Sequence, residues 1–121
     1  MENDQSKSSA KEVVLSFIDN LNKENFDAAR ECISDGLQFK GVMGSRDSGD
    51  AYMKDMEKMR MKYDLKKVFE DGNDVCVFSD ITQAGVTFLC CGWYHVKAGK
   101  IDTYTVLFDP RPLLALADKK S

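Results

Sequence analysis

The chain has 121 residues, 43% of them hydrophobic and 31% charged, with a net charge of −3 at pH 7 and a pI near 5.1. This is the composition of one ordinary globular domain with enough apolar side chains to build a core. The acidic balance argues against nucleic acid or an anionic membrane as the main partner, because both bind to basic surfaces. No apolar run approaches the ~20 residues that a membrane-spanning helix needs.

The polar N-terminus, MENDQSKSSAK, lacks the basic and then apolar pattern of a secretory signal. We therefore expect a cytoplasmic protein. Within it, we expect residues 1–8 to be a disordered lead-in, residues 9–115 to form a single domain and residues 116–121 to be a tail.

The cysteines lie in apolar segments of a chain with no sign of export, which favours reduced, buried thiols over disulfides. There is no CxxC pair, and a single histidine cannot complete a Cys/His zinc set. We therefore expect no metal site and no cofactor. The four cysteines are Cys32, Cys76, Cys90 and Cys91.

Helical periodicity predicts three helices in the first half of the chain. Ser9 and Glu12 form a capping-box pattern before the first, whose apolar face is Val13, Val14, Phe17, Ile18 and Leu21. A second, shorter helix is expected to begin after Asn25 and to end before Gly36. After a turn-rich loop at residues 44–49, Asp50 is a candidate cap for the third helix, with the stripe Tyr52, Met56, Met59 and Tyr63.

Strand patterns follow the helices. Leu37–Met43 is predicted to be the first strand, and turn signals at residues 71–73, 84–85 and 98–100 divide the second half into four more. The Asp109-Pro110 pair should end the sheet, because proline cannot donate to a strand ladder. The predicted order α-α-β-α-β-β-β-β indicates an α+β fold with helices against one face of an antiparallel meander.

This order and spacing resemble the NTF2-like superfamily, and in particular the SnoaL-like domains related to polyketide cyclases and ketosteroid isomerases. The supporting segments are Phe17–Leu21, Asn25–Ala29, Ser34–Phe39, the loop at residues 44–49, and the ending from Ala98 to Leu113. The resemblance covers about residues 10–115. It implies a cone, in which three N-terminal helices pack in a strongly curved, mostly antiparallel sheet with an apolar pocket at the open end. It also implies a homodimer formed through the outer face of the sheet.

The residues of a ketosteroid isomerase are not carried over. Laid onto this chain, the isomerase pattern places its phenol at Phe17, its carboxylate base at Gly41 and its second acid near Cys91. A phenyl ring has no proton to donate, glycine cannot accept one, and a thiol is a weak donor. A slip of one residue to Cys90 restores no acid. We therefore expect that the protein is not an isomerase of this type.

The segment Cys90-Cys91-Gly92-Trp93-Tyr94-His95 supplies one strand of the expected pocket. Neighbouring strand residues point to opposite faces, so Cys91 and His95 share a face but lie ~13 Å apart, too far for a nucleophile and its base. We expect one face of this strand to line the cone opposite Tyr104 and its neighbours. The expected ligand-binding residues are Phe17, Leu21, Phe39, Met56, Leu89, Cys91, Trp93, Tyr104, Val106 and Phe108.

SnoaL-type cyclases imply an aspartate that acts as acid and base near a histidine, which here points to His95, Asp80, Asp102 and Asp109. We expect Asp109 to close the turn at the strand end by bonding backbone amides and Asp102, just past the hairpin, to be solvated. With Tyr104, which could orient a polar group of the ligand, the candidates for catalysis are therefore His95, Tyr104 and Asp80. Each also has a structural interpretation: a hydrogen-bonded histidine, a packed tyrosine, and a carboxylate at the rim or surface. Trp93 is either core or a ligand contact. The four methionines between Met53 and Met61 are either flexible core filler or an adaptable wall for a hydrophobic ligand.

Three hypotheses for function remain open. The first is a domain that binds a small, largely hydrophobic molecule in its cone. The second is an enzyme that performs acid–base chemistry on such a molecule, as in cyclisation, isomerisation, dehydration or hydrolysis. The third is a module that docks to a protein. The small number of titratable side chains expected in the pocket favours the first.

Overall fold

The computed structural model describes residues 9–120, with side chains described through residue 115. The predicted lead-in at residues 1–8 lies outside the described residues. The elements in chain order are α1 (Ala10–Asn22), α2 (Phe26–Glu31), β1 (Ile33–Lys40), β2 (Ser45–Arg46), α3 (Gly49–Met59), β3 (Lys62–Asp71), β4 (Asp74–Gln83), β5 (Val86–Lys97), β6 (Lys100–Phe108) and α4 (Arg111–Lys120).

Helix α1 begins as its sequence predicts. The Glu12 backbone amide donates to Ser9 Oγ at 3.1 Å, and the Ser9 amide donates to Glu12 Oε1 at 2.9 Å, which completes the capping box. The predicted apolar face of the helix is buried. It packs into the concave side of the sheet, so the core of the protein lies between α1 and the inner faces of the strands.

The second helix is shorter than predicted, and the first strand starts earlier. Asn25 caps α2 as expected, but the helix ends at Glu31 and β1 already begins at Ile33. Arg30, in the last turn of α2, donates to the Ile33 carbonyl and forms ion pairs with Asp35 and Asp50. The pairing of β1 with β6 begins at Ile33 and Ile101, which places the predicted stop signal at Gly36 inside the strand.

Six strands form one sheet in the order β2-β1-β6-β5-β4-β3. All neighbours are antiparallel except β1 and β6, which are parallel. The hairpins turn at Gly72, at Ala84-Gly85 and at Ala98-Gly99, where the backbone adopts positive φ angles. The predicted α+β cone, with helices in a curved and mostly antiparallel sheet, is confirmed.

The start of the third helix and the end of the sheet differ from the prediction in detail. Ser48, rather than Asp50, caps α3, since its Oγ accepts from the Ala51 amide at 3.0 Å. A fourth helix, α4, was not predicted and includes most of the expected tail. The Arg111 amide donates to Asp109 Oδ1 at 3.0 Å, so Asp109 bonds a backbone amide at the strand end as predicted, and the helix follows directly. Within residues 9–120, none of the helices has the length and hydropathy to span a membrane.

A β-bulge in the last hairpin sets the register of β5 against β6. Val96 pairs with Ile101, but the preceding residue of β5, His95, pairs with Thr103. Asp102 is therefore the extra residue of the bulge. Beyond the bulge, Tyr94 pairs with Tyr104. Without the extra residue, Tyr104 would pair with Trp93 instead. A shift of one residue reverses which face each side chain occupies, so the bulge decides which side chains of β5 face the core.

Candidate functional site

A cavity of about 560 Å³ opens at the wide end of the cone. It lies between α3 and the inner face of the sheet, and the loop at residues 41–46, the β4–β5 turn and Leu113 of α4 surround its opening. This volume falls in the range that binds small organic molecules.

The walls of the cavity are mainly apolar. Helix α3 and Met61, which follows the C-cap residue of that helix, supply thioether side chains on one side. The strands supply aromatic and branched side chains on the other side. Phe88 and Phe108 lie against each other with ring centroids 5.0 Å apart. The apolar wall residues are Phe39, Val42, Met43, Met56, Met59, Met61, Ile81, Ala84, Phe88, Val106, Phe108 and Leu113.

The inner end of the cavity is formed by tyrosines. The chain has four tyrosines, and all four are buried in one cluster. Tyr94 stacks on Tyr104 with centroids 4.1 Å apart, and Tyr52 meets the edge of Tyr104 at 6.0 Å. Tyr52, Tyr63 and Tyr104 reach the cavity wall, whereas Tyr94 lies behind them.

Burial raises the pKa of all four phenols above the ordinary value for tyrosine, because the phenolate would lose its hydration. The hydroxyls are therefore protonated at neutral pH. The inner end of the cavity presents neutral hydrogen-bond donors and no charge.

The charged side chains that line the cavity are confined to its rim. Arg46 Nε lies 2.9 Å from Asp55 Oδ2, and both side chains are partly exposed. Lys58, on the same helix as Asp55, is also exposed. The Arg46–Asp55 ion pair compensates its own charge, which leaves Lys58 as the remaining charged side chain of the lining.

Half of the predicted pocket residues lie on the cavity wall: Phe39, Met56, Tyr104, Val106 and Phe108. That they bind a ligand stays a prediction. Phe17 and Leu21 are buried in the core and do not line the cavity.

The placement of Leu89, Cys91 and Trp93 inside the cone is wrong. These side chains lie on the outer face of β5, where Leu89 is 58% and Trp93 54% exposed. The cause is the bulge at Asp102, which pairs Trp93 with Thr105 and Cys91 with Leu107. The inward residues of β5 are Phe88, Cys90, Gly92, Tyr94 and Val96.

Only Tyr104 of the three candidates for catalysis reaches the cavity. His95 lies on the outer face, where its Nδ1 is 2.7 Å from Asp102 Oδ1. Asp80 also lies on the outer face, 3.5 Å from Lys66 Nζ. The structure therefore does not bring the three candidates together.

All four cysteines are free thiols, one of them buried and three partly exposed. Cys90 is buried among the tyrosines, and desolvation raises its pKa to about 12. The other three are partly exposed, so the expectation of buried thiols holds fully for Cys90 alone. Among residues 9–120, no three His, Cys, Asp or Glu side chains are grouped so that they could hold a metal ion.

Several cavity residues were not predicted as pocket residues. Tyr52, Met59 and Tyr63 already formed the apolar stripe predicted for the third helix and its end, so the periodicity carried a usable signal. Phe88 was missed because the register of its strand was assigned one residue out. The loop at residues 41–46 has no sequence feature that would place it at the opening of a cavity.

The comparisons with known proteins agree with this geometry. The family model of the SnoaL-like domain matches residues 14–104. The structure is similar to that of an NTF2-like protein of unknown function from Cytophaga hutchinsonii, with 44% sequence identity, a TM-score of 0.87, and coverage of 94% of this chain and 99% of the other. No curated protein matches the sequence significantly.

Two more distant structures share the fold. An LEH-like epoxide hydrolase of M. tuberculosis is 23% identical, with a TM-score of 0.72 and coverage of 91% of this chain and 96% of that one. IdmH of Streptomyces antibioticus, provisionally a polyketide cyclase, is 12% identical, with a TM-score of 0.75 and coverage of 92% and 99%. At these identities the likeness concerns the fold alone. Together with the family match over residues 14–104, the fold shows that the chain belongs to the SnoaL-like domains of the NTF2-like superfamily.

Proposed function

We propose that the cavity binds a small, largely hydrophobic molecule. The observation that carries this proposal is a space of about 560 Å³ with apolar walls and a few neutral hydroxyls at its inner end. Concave, mostly apolar sites with a few polar groups are the usual form of a small-molecule site. The names of the more distant relatives, a polyketide cyclase and an epoxide hydrolase, also refer to reactions of small molecules.

Binding is favoured over acid–base catalysis by the side chains that the cavity contains. Its one carboxylate is Asp55, which is held at the rim by Arg46. The phenol of Tyr104 has a raised pKa and is a poor source of a base at neutral pH. His95 and Asp80 lie on the outer face. An efficient general acid or base has a pKa near the operating pH and lies within hydrogen-bond reach of the substrate.

A pair of tryptophan substitutions tests whether the cavity is the binding site. Val106 lies on the cavity wall, and its neighbour Thr105 points to the outer face. We expect Val106→Trp to fill the cavity and to weaken binding of the neutral dye N-phenyl-1-naphthylamine at least ~10-fold, a loss of ~1.4 kcal/mol. Thr105→Trp is the matched control and should leave the affinity unchanged. The affinity is measured by titrating dye fluorescence, with circular dichroism to confirm that both variants are folded. Equal affinity in the two folded variants would contradict the proposal.

We also propose that the protein forms a homodimer through the outer face of its sheet. Large apolar side chains are exposed there on adjacent strands. The rings of Phe69 and Phe78 meet edge to face, with their centroids 6.2 Å apart. An exposed apolar patch of this kind usually marks an interface, and a two-fold pair uses the same patch on both copies. The exposed apolar residues of this face are Phe69, Phe78, Leu89, Trp93 and Leu107.

A charge placed in this patch tests the dimer. Leu107, 64% exposed on β6, would carry the charge into the patch, whereas Leu114, 48% exposed on α4, would carry it elsewhere. We expect Leu107→Lys to shift the protein to monomer in sedimentation velocity, because the interface would have to bury an unpaired ammonium group. Leu114→Lys should keep the state of the unchanged protein. A monomeric unchanged protein at all concentrations would contradict the proposal and favour docking of a different partner.

A further inference from the structure

A second, smaller space lies on the outer face of the sheet. This outer pocket has a volume of about 200 Å³ and is lined by Asp74, Trp93, His95, Thr103 and Thr105. Strand pairing places Asp74 opposite His95, and His95 opposite Thr103, in one row across three strands. Trp93 and its partner Thr105 form the next row. The volume is below the roughly 300 Å³ at which drug-sized sites begin, so the outer pocket suits a single functional group.

Two hydrogen bonds leave mainly acceptors in the outer pocket. Trp93 Nε1 donates to Asp74 Oδ1 at 3.0 Å, which uses the one polar hydrogen of the indole. His95 Nδ1 lies 2.7 Å from Asp102 Oδ1. An ionised carboxylate has no proton to give, so Nδ1 carries the hydrogen and Nε2 of the neutral ring is an acceptor. A ligand therefore meets the carboxylate of Asp74, this Nε2 and two threonine hydroxyls, which can also accept.

The negative charge at the outer pocket is not compensated by a basic side chain. Among residues 9–115, no lysine or arginine forms an ion pair with Asp74 or Asp102. Lys40, which pairs with Thr105, and Lys97, two residues beyond His95, are exposed. A neutral His95 leaves both carboxylates uncompensated, and a protonated His95 balances only one of them. The outer pocket therefore attracts a cation in either state.

From these features we infer that the outer pocket binds a guanidinium group, carried by an arginine side chain or by a small alkylguanidine. A guanidinium is a planar cation with N–H donors and no acceptor, so it matches a site whose fixed polar groups accept. Its plane also stacks on aromatic rings, and Trp93, 54% exposed, offers an indole surface to it. The inference does not depend on ligand binding in the cone, because the two spaces share no lining residue.

Three butyl compounds test the inference: butylguanidinium; N-butylurea, which keeps the planar shape without the charge; and butylammonium, which keeps the charge without the plane. Trp93 is the chain's only tryptophan, so its fluorescence reports binding at this place. We expect butylguanidinium to bind at least ~10-fold more tightly than N-butylurea, the effect of a charge-assisted contact. It should bind ~3-fold more tightly than butylammonium, the effect of stacking on the indole.

Each alternative result removes a defined part of the inference. Equal affinity for N-butylurea would overturn the role of charge, and equal affinity for butylammonium would overturn the role of the planar group. Because Trp93 also belongs to the exposed patch of the proposed dimer, the titration is repeated in Leu107→Lys. Binding in that variant alone would support the site and show that a second copy covers it. No fluorescence change in either protein would overturn the inference, while the proposed function of the cone would stand.

Two isosteric variants on β4 assign the binding to the outer pocket. Asp74→Asn keeps an acceptor for the indole N–H but removes the charge, so butylguanidinium should bind ~10-fold more weakly and N-butylurea equally well. Asp80→Asn is the matched control, since it removes the same charge from the same strand and face but outside the outer pocket. It should change the affinity less than ~2-fold. Circular dichroism confirms that both variants are folded. Equal losses in the two would indicate a general effect of surface charge and overturn the site.

Protein and small-molecule sources of the guanidinium are separated by one further comparison. Nα-acetylarginine methylamide presents the group as an arginine side chain of a protein does, with backbone amides on both sides. Butylguanidinium presents it on a free alkyl chain. The tighter of the two shows which source the outer pocket fits, and loss of both in Asp74→Asn is required if they occupy the same place.

Discussion

The two faces of strand β5 have different roles although both are rich in apolar side chains. The inner face, which includes Cys90, Gly92 and Tyr94, is buried against the core. The outer face presents Leu89 and Trp93 to solvent. Hydrophobicity alone therefore does not say which face of this strand lines the cavity. The difference arises from the pairing of β5 with β6.

Alkaline titration should affect the inner face most. The tyrosines have raised pKa values, so their contribution to stability is fully present below about pH 10, where phenols of the unfolded chain begin to ionise, and is lost as the pH rises toward the folded values. Each tyrosine reduces the free energy of unfolding by ~1.4 kcal/mol per pH unit in this range, which gives ~5.6 kcal/mol per pH unit for all four.

Urea denaturation at successive pH values, together with absorbance at 295 nm, measures this loss. We expect phenolate absorbance to appear only as the protein unfolds. Tyr104→Phe should reduce the slope by about a quarter, because one titrating group is removed. Phenolate absorbance that rises well before unfolding would show that the cluster is open to solvent.

Truncation of two neighbouring aromatic side chains on β5 should lower the stability by very different amounts. Tyr94→Ala removes a fully buried ring that stacks on Tyr104, and we expect it to lower the free energy of unfolding by ~3–5 kcal/mol. Trp93→Ala removes a ring from the outer face and should cost less than ~1 kcal/mol. Both are measured by urea denaturation at a concentration where the variants are monomeric. A larger loss for Trp93→Ala would mean that the two faces are assigned wrongly.

A single added methyl group on the inner face should have a smaller effect. A Cβ at Gly92 would lie 3.0 Å from ring carbons of both Tyr94 and Tyr104, so Gly92→Ala forces the stacked rings apart. We expect a loss of ~1–3 kcal/mol in the free energy of unfolding. Gly36→Ala is the matched strand control, since no heavy atom lies within 4 Å of its added Cβ. It should be neutral or slightly stabilising, and equal losses at the two glycines would contradict the close packing.

Local signals in the sequence were sufficient for most of the fold. The capping box at Ser9, the Asn25 cap and the glycine-containing hairpin turns each act through the backbone of a few neighbouring residues, so a short segment shows them. The resemblance to SnoaL-like domains then supplied the cone and its opening. Local signals failed where distant contacts decide: Ile33 pairs with Ile101 of β6, so β1 begins before the glycine at which the second helix was predicted to stop.

The candidate site was predictable only in part, for a related reason. The stripe on α3 and the inward residues of β6 follow from periods of 3.6 and 2 within one element. The inward residues of β5 depend on how that strand pairs with β6, and both of its faces are apolar enough to fit a core. No sequence feature of the turn at Ala98-Gly99 indicates that Asp102 is an extra residue in its strand. His95 and Trp93 were therefore considered for a pocket that they do not enter.

The bulge at Asp102 also affects how this domain is compared with its relatives. A homologue whose last hairpin is one residue shorter would place alternate side chains of the preceding strand inside its cone. An ungapped alignment of the two hairpins would then match interior positions of one protein with exterior positions of the other. Transfer of ligand contacts between such sequences requires a gap at Asp102. The first property to compare is whether the two hairpins differ in length by an odd or an even number of residues.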